Sequence, residues 1–308
     1  MASGRMEFHA QTIMQHANFA YALPYDTEME EVRDPSHYER ETKSLILLHG
    51  LTGTDTDWLF GGIAQQLAYQ YNLAVFMPTT GNSFYLDRGY PGGNYASYIG
   101  EELPNFINKV FGFCESRENT MIGGLSMGGY GAIHTALAFP ERFSACIGLS
   151  SALVIKATEE RFKEEVLRSV SGIGFDQSDE SSDEKQNSDA VDPATQALPK
   201  SPAAADVDPV RDILPFGMVK EIFGRDGRLI GSDKDPEAQY RKLKEAGTAI
   251  PKIYLAIGTE DSLLGVNRDF AAFLEKEGAD YKYEEGPGKH DWYFWNEYIE
   301  HGLKWVLK

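Results

Sequence analysis

The stretch Thr120-Met121-Ile122-Gly123-Gly124-Leu125-Ser126-Met127-Gly128-Gly129-Tyr130-Gly131 decides how this chain is read. The apolar run 120–125 predicts a strand, and 127–138, stopped by Pro140, predicts a helix. Between them Gly124-Leu125-Ser126-Met127-Gly128 fits G-x-S-x-G. Five residues alone recur by chance, and a glycine-rich turn with an incidental serine would be the plainer reading. A strand before the pattern and a helix after it make it a nucleophile elbow instead. There the glycines permit a sharp turn that holds the serine hydroxyl clear of the sheet.

The same alternation extends outward on both sides. Upstream, 44–48 is an uninterrupted apolar run, as expected of a strand buried on both faces, and the loop His49-Gly50-Leu51-Thr52-Gly53 follows it. A helix is expected at about 59–71, from Ile63, Leu67 and Tyr71 on one stripe, then a strand at 73–77 closed by Pro78. A Gly/Asn-rich loop (79–94) and a helix at about 95–110 precede the elbow. Downstream come strands at 143–149, 252–257 and 280–285 and helices at 264–277 and 291–306. Residues 7–16 and 17–23 read as two further strands, and 25–42 as a loop or edge segment. This order predicts an α/β protein with a mostly parallel, doubly wound sheet.

Residues 151–250 break the rhythm, so 1–150 with 251–308 are expected to form the core and 151–250 a helical cap insertion. Helices are expected at about 158–170 and 236–246; the second has Asp235 as N-cap, Pro236 in the first turn and Gly247 as its stop. Between them, 176–208 holds nine acids against Lys185 and Lys200, a net charge of −7, with three prolines and no aromatic residue. Such a composition buries too little apolar area to offset the entropy of ordering it, which predicts a flexible surface loop.

The whole chain of 308 residues carries a net charge of −18, the reverse of the basic footprint of nucleic-acid binders and unfavourable for anionic membrane surfaces. Cys114 and Cys146 cannot make a disulfide framework, and no Cys/His cluster points to zinc. Few cysteines fit a reducing compartment, no stretch approaches a membrane span, and 1–6 does not read as a signal peptide, so the expected address is the cytoplasm. Met6 could be the native start behind a short leader. Gly89-Tyr90-Pro91-Gly92-Gly93 and Gly172-Ile173-Gly174 lack the phosphate-loop context, so no nucleotide is expected.

A serine hydroxyl needs a base. With this elbow the chain order is serine, acid, histidine, and of seven histidines only His290 and His301 follow a later strand. His301 lies within a helix beside Glu300 and Lys304, whereas His290 stands in the loop Gly286-Pro287-Gly288-Lys289-His290-Asp291-Trp292 that leaves the last strand. The acid belongs on the loop after the preceding strand, where Glu260 and Asp261 are neighbours and Asp261 is chosen. The acid would hold the imidazole's tautomer and stabilise the imidazolium. The oxyanion hole is expected from the Met127 amide and, at the end of its strand, the Leu51 amide; His49 is expected to be a buried histidine bonded to loop backbone.

Leu48-His49-Gly50-Leu51-Thr52-Gly53, the elbow motif and Gly288-Lys289-His290-Asp291-Trp292 together resemble the esterase D family of α/β-hydrolases, in its bacterial tributyrin esterase and feruloyl esterase branch. Met77-Pro78, Asn82-Ser83, Tyr98 and Glu101-Glu102-Leu103-Pro104 match the same pattern. The resemblance covers about 40–155 and 250–308 and leaves out the acidic insertion. It implies an α/β-hydrolase fold and a serine carboxylesterase without a cofactor, acting on short acyl or hydroxycinnamoyl esters. The triad falls on Ser126, Asp261 and His290, the oxyanion amides on Leu51 and Met127, and the family's habit implies a homo-oligomer. Hydrolysis of S-formylglutathione or of acetylated carbohydrate is the rival within enzymes, and a non-catalytic binding protein on the same fold is the rival of another class.

Trp58, Phe84, Tyr85, Trp292 and Trp295 flank the motif loops, which leave the carboxyl ends of the strands, where pockets form. The substrate pocket is therefore expected to hold Trp58, Asn82, Ser83 and Trp292. Deleting 176–208 is expected to leave the fold intact and to change KM or substrate preference, checked by thermal melting and ester kinetics; global unfolding of the deletion variant would make the insertion structural.

Overall fold

A computed structural model describes residues 2–25, 35–170 and 214–308. Eight strands form one sheet: β1 (Ala2–Ala10), β2 (Gln15–Leu23), β3 (Lys43–Leu48), β4 (Leu73–Pro78), β5 (Thr120–Leu125), β6 (Ala145–Leu149), β7 (Lys252–Gly258) and β8 (Tyr281–Gly286). Their spatial order is β1-β2-β4-β3-β5-β6-β7-β8. β1 and β2 are an antiparallel hairpin, β2 lies antiparallel on β4, and every other pairing is parallel.

The central strands are apolar throughout because both their faces are covered. Leu45, Leu47, Val75 and Ile147 point to one side, against α1 (Asp57–Phe60), α2 (Ala64–Gln70) and, at the end of the chain, α10 (Trp292–Val306). Ile46, Phe76, Ile122 and Ile253 point to the other. There they meet α4 (Leu103–Phe111), which follows the short α3 (Tyr95–Ser97) and a π turn, and α5 (Met127–Ala138) and α9 (Leu264–Glu277). Adjacent residues of one strand thus serve opposite cores, as the two-residue period of a strand requires.

The interruption between β6 and β7 packs on the α5 side. It holds α6 (Ile155–Val170), α7 (Phe216–Phe223) and α8 (Pro236–Ala246), with Phe162, Val219, Ile222 and Tyr240 in the same core as α5. Two bonds tie α5 to the segment before α8: Tyr130 donates to the Lys234 carbonyl at 2.6 Å, and His134 Nε2 to the Asp233 carbonyl at 3.0 Å. Asp235 caps α8 by accepting from the Glu237 amide, as expected. The acidic segment 176–208 lies outside the described residues.

Three expectations need correction. The helix expected over 59–71 is broken into α1 and α2 at Gly61-Gly62. A Cβ at Gly61 would lie 2.6 Å from the Trp292 ring and one at Gly62 2.7 Å from the Trp58 carbonyl, so the glycines admit α10 where a continuous helix would exclude it. The first strand does not run to His16. It turns at 11–14, with Met14 at φ 49° and the Gln11 and Thr12 amides donating to Glu102 at 2.6 and 2.9 Å. Nor does it begin at residue 7: Ala2–Arg5 pair in register with β2, and Arg5 bonds Asp55 through two nitrogens at 2.6 and 3.0 Å. The helix α7 had no counterpart in the sequence reading.

The β3–α5 contact admits no side chain at Gly128, where a Cβ would sit 2.4 Å from the Leu48 carbonyl oxygen and 2.6 Å from that of His49. Backbone cannot swing aside as a side-chain tip can. Gly128→Ala is expected to destabilise by about 1–3 kcal/mol, the scale of overpacking a core, read from the midpoint of urea unfolding.

Candidate active site

Ser126 sits between β5 and α5 at φ 56°, ψ −120°, in a region that residues other than glycine rarely enter. The surroundings hold it there. Its amide donates to the Leu149 carbonyl at 2.9 Å, and its carbonyl accepts from the amides of Gly129 (3.0 Å), Tyr130 (3.1 Å) and Ala152 (2.9 Å). Gly124 is required because a Cβ there would meet the Gly128 carbonyl oxygen at 2.3 Å. The turn anticipated from the sequence is therefore over-determined by hydrogen bonds to β6 and by backbone contact with β3.

The loop after β3 runs along this turn. A Cβ on Gly50 would meet Leu125 at 2.9 Å and the Ser126 Cβ at 3.4 Å, so the backbone passes as close as glycine allows. Leu51 follows and, with Ser126, lines one cavity. Met127 is the first residue of α5, and its amide is one of the helix-start donors that no intrahelical carbonyl can satisfy. His49 is buried: Nδ1 donates to the Gly50 carbonyl at 2.7 Å and Nε2 accepts from the Thr80 amide at 3.1 Å. Burial, only partly offset by the bond to Gly50, lowers its pKa and keeps it neutral, so His49 braces the loop as expected.

The loops after β7 and β8 meet through another close backbone approach. A Cβ on Gly258 would lie 2.3 Å from the Gly288 carbonyl oxygen, and the Glu260 amide donates to that oxygen at 3.0 Å. This brings His290 Nδ1 to 2.8 Å from Asp261 Oδ2. The Asp261 side chain is fully enclosed while that of His290 is 35% exposed. Burial opposes ionisation of Asp261, yet its bonds with His290 (2.8 Å) and the Leu263 amide (2.9 Å) outweigh that and hold its pKa below the usual carboxylate value. Glu260, its neighbour, is 63% exposed and faces Lys289. His301 pairs with Glu284 at 3.2 Å, away from this cluster.

Ser126 and His290 share a cavity of about 330 Å³ with Leu51, Phe84, Val154, Leu214, Leu263, Trp292 and Trp295. The volume is at the lower end of the range for small-molecule sites. Of the expected pocket residues Trp292 lines the cavity and Trp58, Asn82 and Ser83 do not. Trp58 is wholly buried behind Trp292, edge to face at 5.1 Å, with its indole N–H donating to the Leu48 carbonyl at 3.1 Å. Asn82 Oδ1 accepts from the Thr52 amide at 2.7 Å and fixes the loop after Leu51. Ser83 is buried and accepts from the Tyr85 amide. Trp58 thus backs a lining residue, while Asn82 and Ser83 brace the loops next to Leu51 and Phe84. Sequence reasoning missed Asp57 and Leu214, which line the cavity and carry no motif. Among the described residues no group of His, Cys, Asp and Glu gathers as metal ligands would.

Serine on a strained turn, a histidine oriented by an enclosed carboxylate and a helix-start amide beside an apolar cavity are the parts that acyl transfer needs. The comparisons agree with that chemistry. An acetyl esterase from Caldicellulosiruptor saccharolyticus is 35% identical over 100% of this chain and 99% of its own length. The fluorophosphonate-binding serine hydrolase F of Staphylococcus aureus superposes with a TM-score of 0.68 at 25% identity, over 100% of this chain and 98% of that one. The S-formylglutathione hydrolase of the same organism superposes with a TM-score of 0.70 at 24% identity, over 100% and 99%. The family model described as "Putative esterase" matches residues 26–306, and the chain belongs to that esterase family, on the α/β-hydrolase fold.

Proposed function

We propose that this enzyme is a serine carboxylesterase that cleaves small uncharged acyl esters, acetyl esters first, through an acyl-enzyme. The observation that carries the reading is the 2.8 Å bond between His290 and the enclosed Asp261, in a site that shares its cavity with Ser126. Asp261 accepts from Nδ1, which leaves Nε2 as the nitrogen that can take the Ser126 proton. The Ser126 oxygen attacks the ester carbonyl as His290 accepts the proton. The amides of Met127 and Leu51 receive the oxyanion, each worth about 3–4 kcal/mol if preorganised. His290 then protonates the departing alcohol, and water, activated by the same nitrogen, releases the acid.

The cavity's chemistry supports a neutral acyl group. Its walls are mostly aliphatic and aromatic, and among the described residues Asp57 is its one acidic lining residue, with neither Lys nor Arg present. A glutathione thioester would bring carboxylates to this wall of an enzyme whose net charge is −18, so S-formylglutathione hydrolysis is the weaker reading. The full-length likeness to an acetyl esterase favours acetyl over hydroxycinnamoyl groups. Ala152, Val154 and Leu214 contribute to the cavity wall, which fits a cap role for 151–250. The two unpaired, buried cysteines fit a cytoplasmic address.

Ser126→Ala is expected to remove several orders of magnitude of kcat against nitrophenyl acetate without changing the melting temperature. A folded alanine variant at near-wild-type turnover would refute the nucleophile. A panel from acetate to octanoate, with methyl ferulate, acetylated xylo-oligosaccharide and S-formylglutathione, is expected to rank acetyl esters highest in kcat/KM. Because the pKa of Asp261 is lowered on folding, its stabilising share is present above about pH 4, the unfolded value, and is lost as pH falls through the folded one. Melting curves of wild type and Asp261→Asn are therefore expected to draw together on acidification below pH 4.

A further inference from the structure

We propose that Phe84 is the specificity-determining residue for the acyl group: its ring closes the acyl side of the cavity and limits the enzyme to short chains. The inference rests on the esterase reading and deepens it, because it names the wall that ranks acyl groups.

The reaction itself separates the two sides of the cavity. His290 must hand its proton to the departing alcohol, so the alcohol lies on the histidine side and the acyl group on the other. Tryptophans mark the histidine side. The Trp295 ring meets the His290 ring edge to face, with centroids 5.0 Å apart, and Trp292 meets Trp295 at 5.3 Å. Both pack into the core on the α10 side. Phe84 and Leu214 line the same cavity but belong to the core on the α5 side. The ring neighbours of Phe84 are Phe223 of α7 at 5.0 Å and Tyr130 of α5 at 5.7 Å. An acyl chain directed away from His290 therefore runs toward Phe84.

The loop after β4 holds this ring in place. Phe84 and Tyr85 take φ 53° and 54°, two consecutive large side chains in the left-handed region. Such strain persists only where the surroundings over-determine it. Tyr85 supplies the anchor. Its hydroxyl donates to the His49 carbonyl at 2.8 Å and its amide to the Ser83 hydroxyl at 3.1 Å. Its ring lies so close to α5 that a Cβ on Gly131 would run into it. Phe84 itself is buried between the cavity and the Phe223 ring, so close packing denies it a place to swing into. A fixed ring at the end of a cavity of about 330 Å³ stops a long chain, whereas an acetyl group fits in front of it.

The test compares Phe84→Gly and Phe84→Leu with wild type in the full-length chain. Glycine removes the ring and accepts φ 53° without strain, and leucine keeps apolar bulk against α7. Two series are measured, nitrophenyl esters from acetate to octanoate and acetates of alcohols from methanol to hexanol, together with the melting temperature of each variant. The readout is the ratio of kcat/KM for the longest over the shortest chain, in which a general loss of rate cancels. In Phe84→Gly the acyl ratio is expected to rise by about 10-fold or more, the scale of fitting apolar groups into a pocket, while the alcohol ratio stays within about twofold. Phe84→Leu is expected to move the acyl ratio in the same direction by less, and it decides the matter if the glycine variant does not fold. A folded variant with the wild-type acyl ratio, or one whose alcohol ratio moves instead, would overturn the assignment and leave the esterase reading standing. If wild type cleaves none of these esters, the esterase reading itself fails and the acyl wall with it.

Discussion

The backbone at Ser126 is the constraint on which the rest of the structure depends. A residue at φ 56° with a side chain persists only where its surroundings leave no alternative. Here one carbonyl collects the amides of Gly129, Tyr130 and Ala152 while the amide reaches back to Leu149. These partners come from α5, from β6 and from just beyond it, so the turn is held only where β5, α5 and β6 pack together. The price is a row of positions where no side chain fits: Gly124 against Gly128, and Gly128 against the end of β3. Sheet geometry and the geometry at Ser126 are thus one fact.

The other site residues reach Ser126 by the same device. Parallel strands end on one side of the sheet, so the loops after β3, β5, β7 and β8 gather there from distant parts of the chain. Gly50 admits the first loop to the elbow, and Gly258 joins the last two. Once β7 and β8 are in register, Asp261 and His290 have little room to be anywhere but beside each other.

How much of this was legible followed from burial. Strands covered on both faces must be apolar at every position, which made 44–48, 73–77 and 252–257 plain. Ser126 could be read because its turn demands glycines at fixed offsets. Asp261 and His290 followed from chain order. The pocket was harder because chain position does not say which way a side chain points. Trp58 and Trp292 both flank motif loops, yet Trp58 turns its indole inward to the Leu48 carbonyl and only Trp292 reaches the cavity. The break at Gly61-Gly62 depends on the Trp292 ring, more than 200 residues away, and no local pattern carries that contact. The hairpin turn at 11–14 is held by Glu102, with the same result. The short α7, eight residues long, offers too few turns for a helical period to stand out in the sequence.

The two margins of the sheet carry a consequence for self-association. An unpaired strand invites another strand to add to it, and long flat apolar margins are where proteins aggregate. Here β1 exposes Ser3, Arg5, Glu7 and His9 on alternate positions. At the far margin β8 carries Lys282, Glu284 and Glu285, engaged with one another or with Arg268 and Tyr254. A second molecule aligning along either border would strip water from charges that already have partners. Any multimer of this chain is accordingly expected to assemble through helices or loops, leaving the sheet a finite, eight-stranded ribbon.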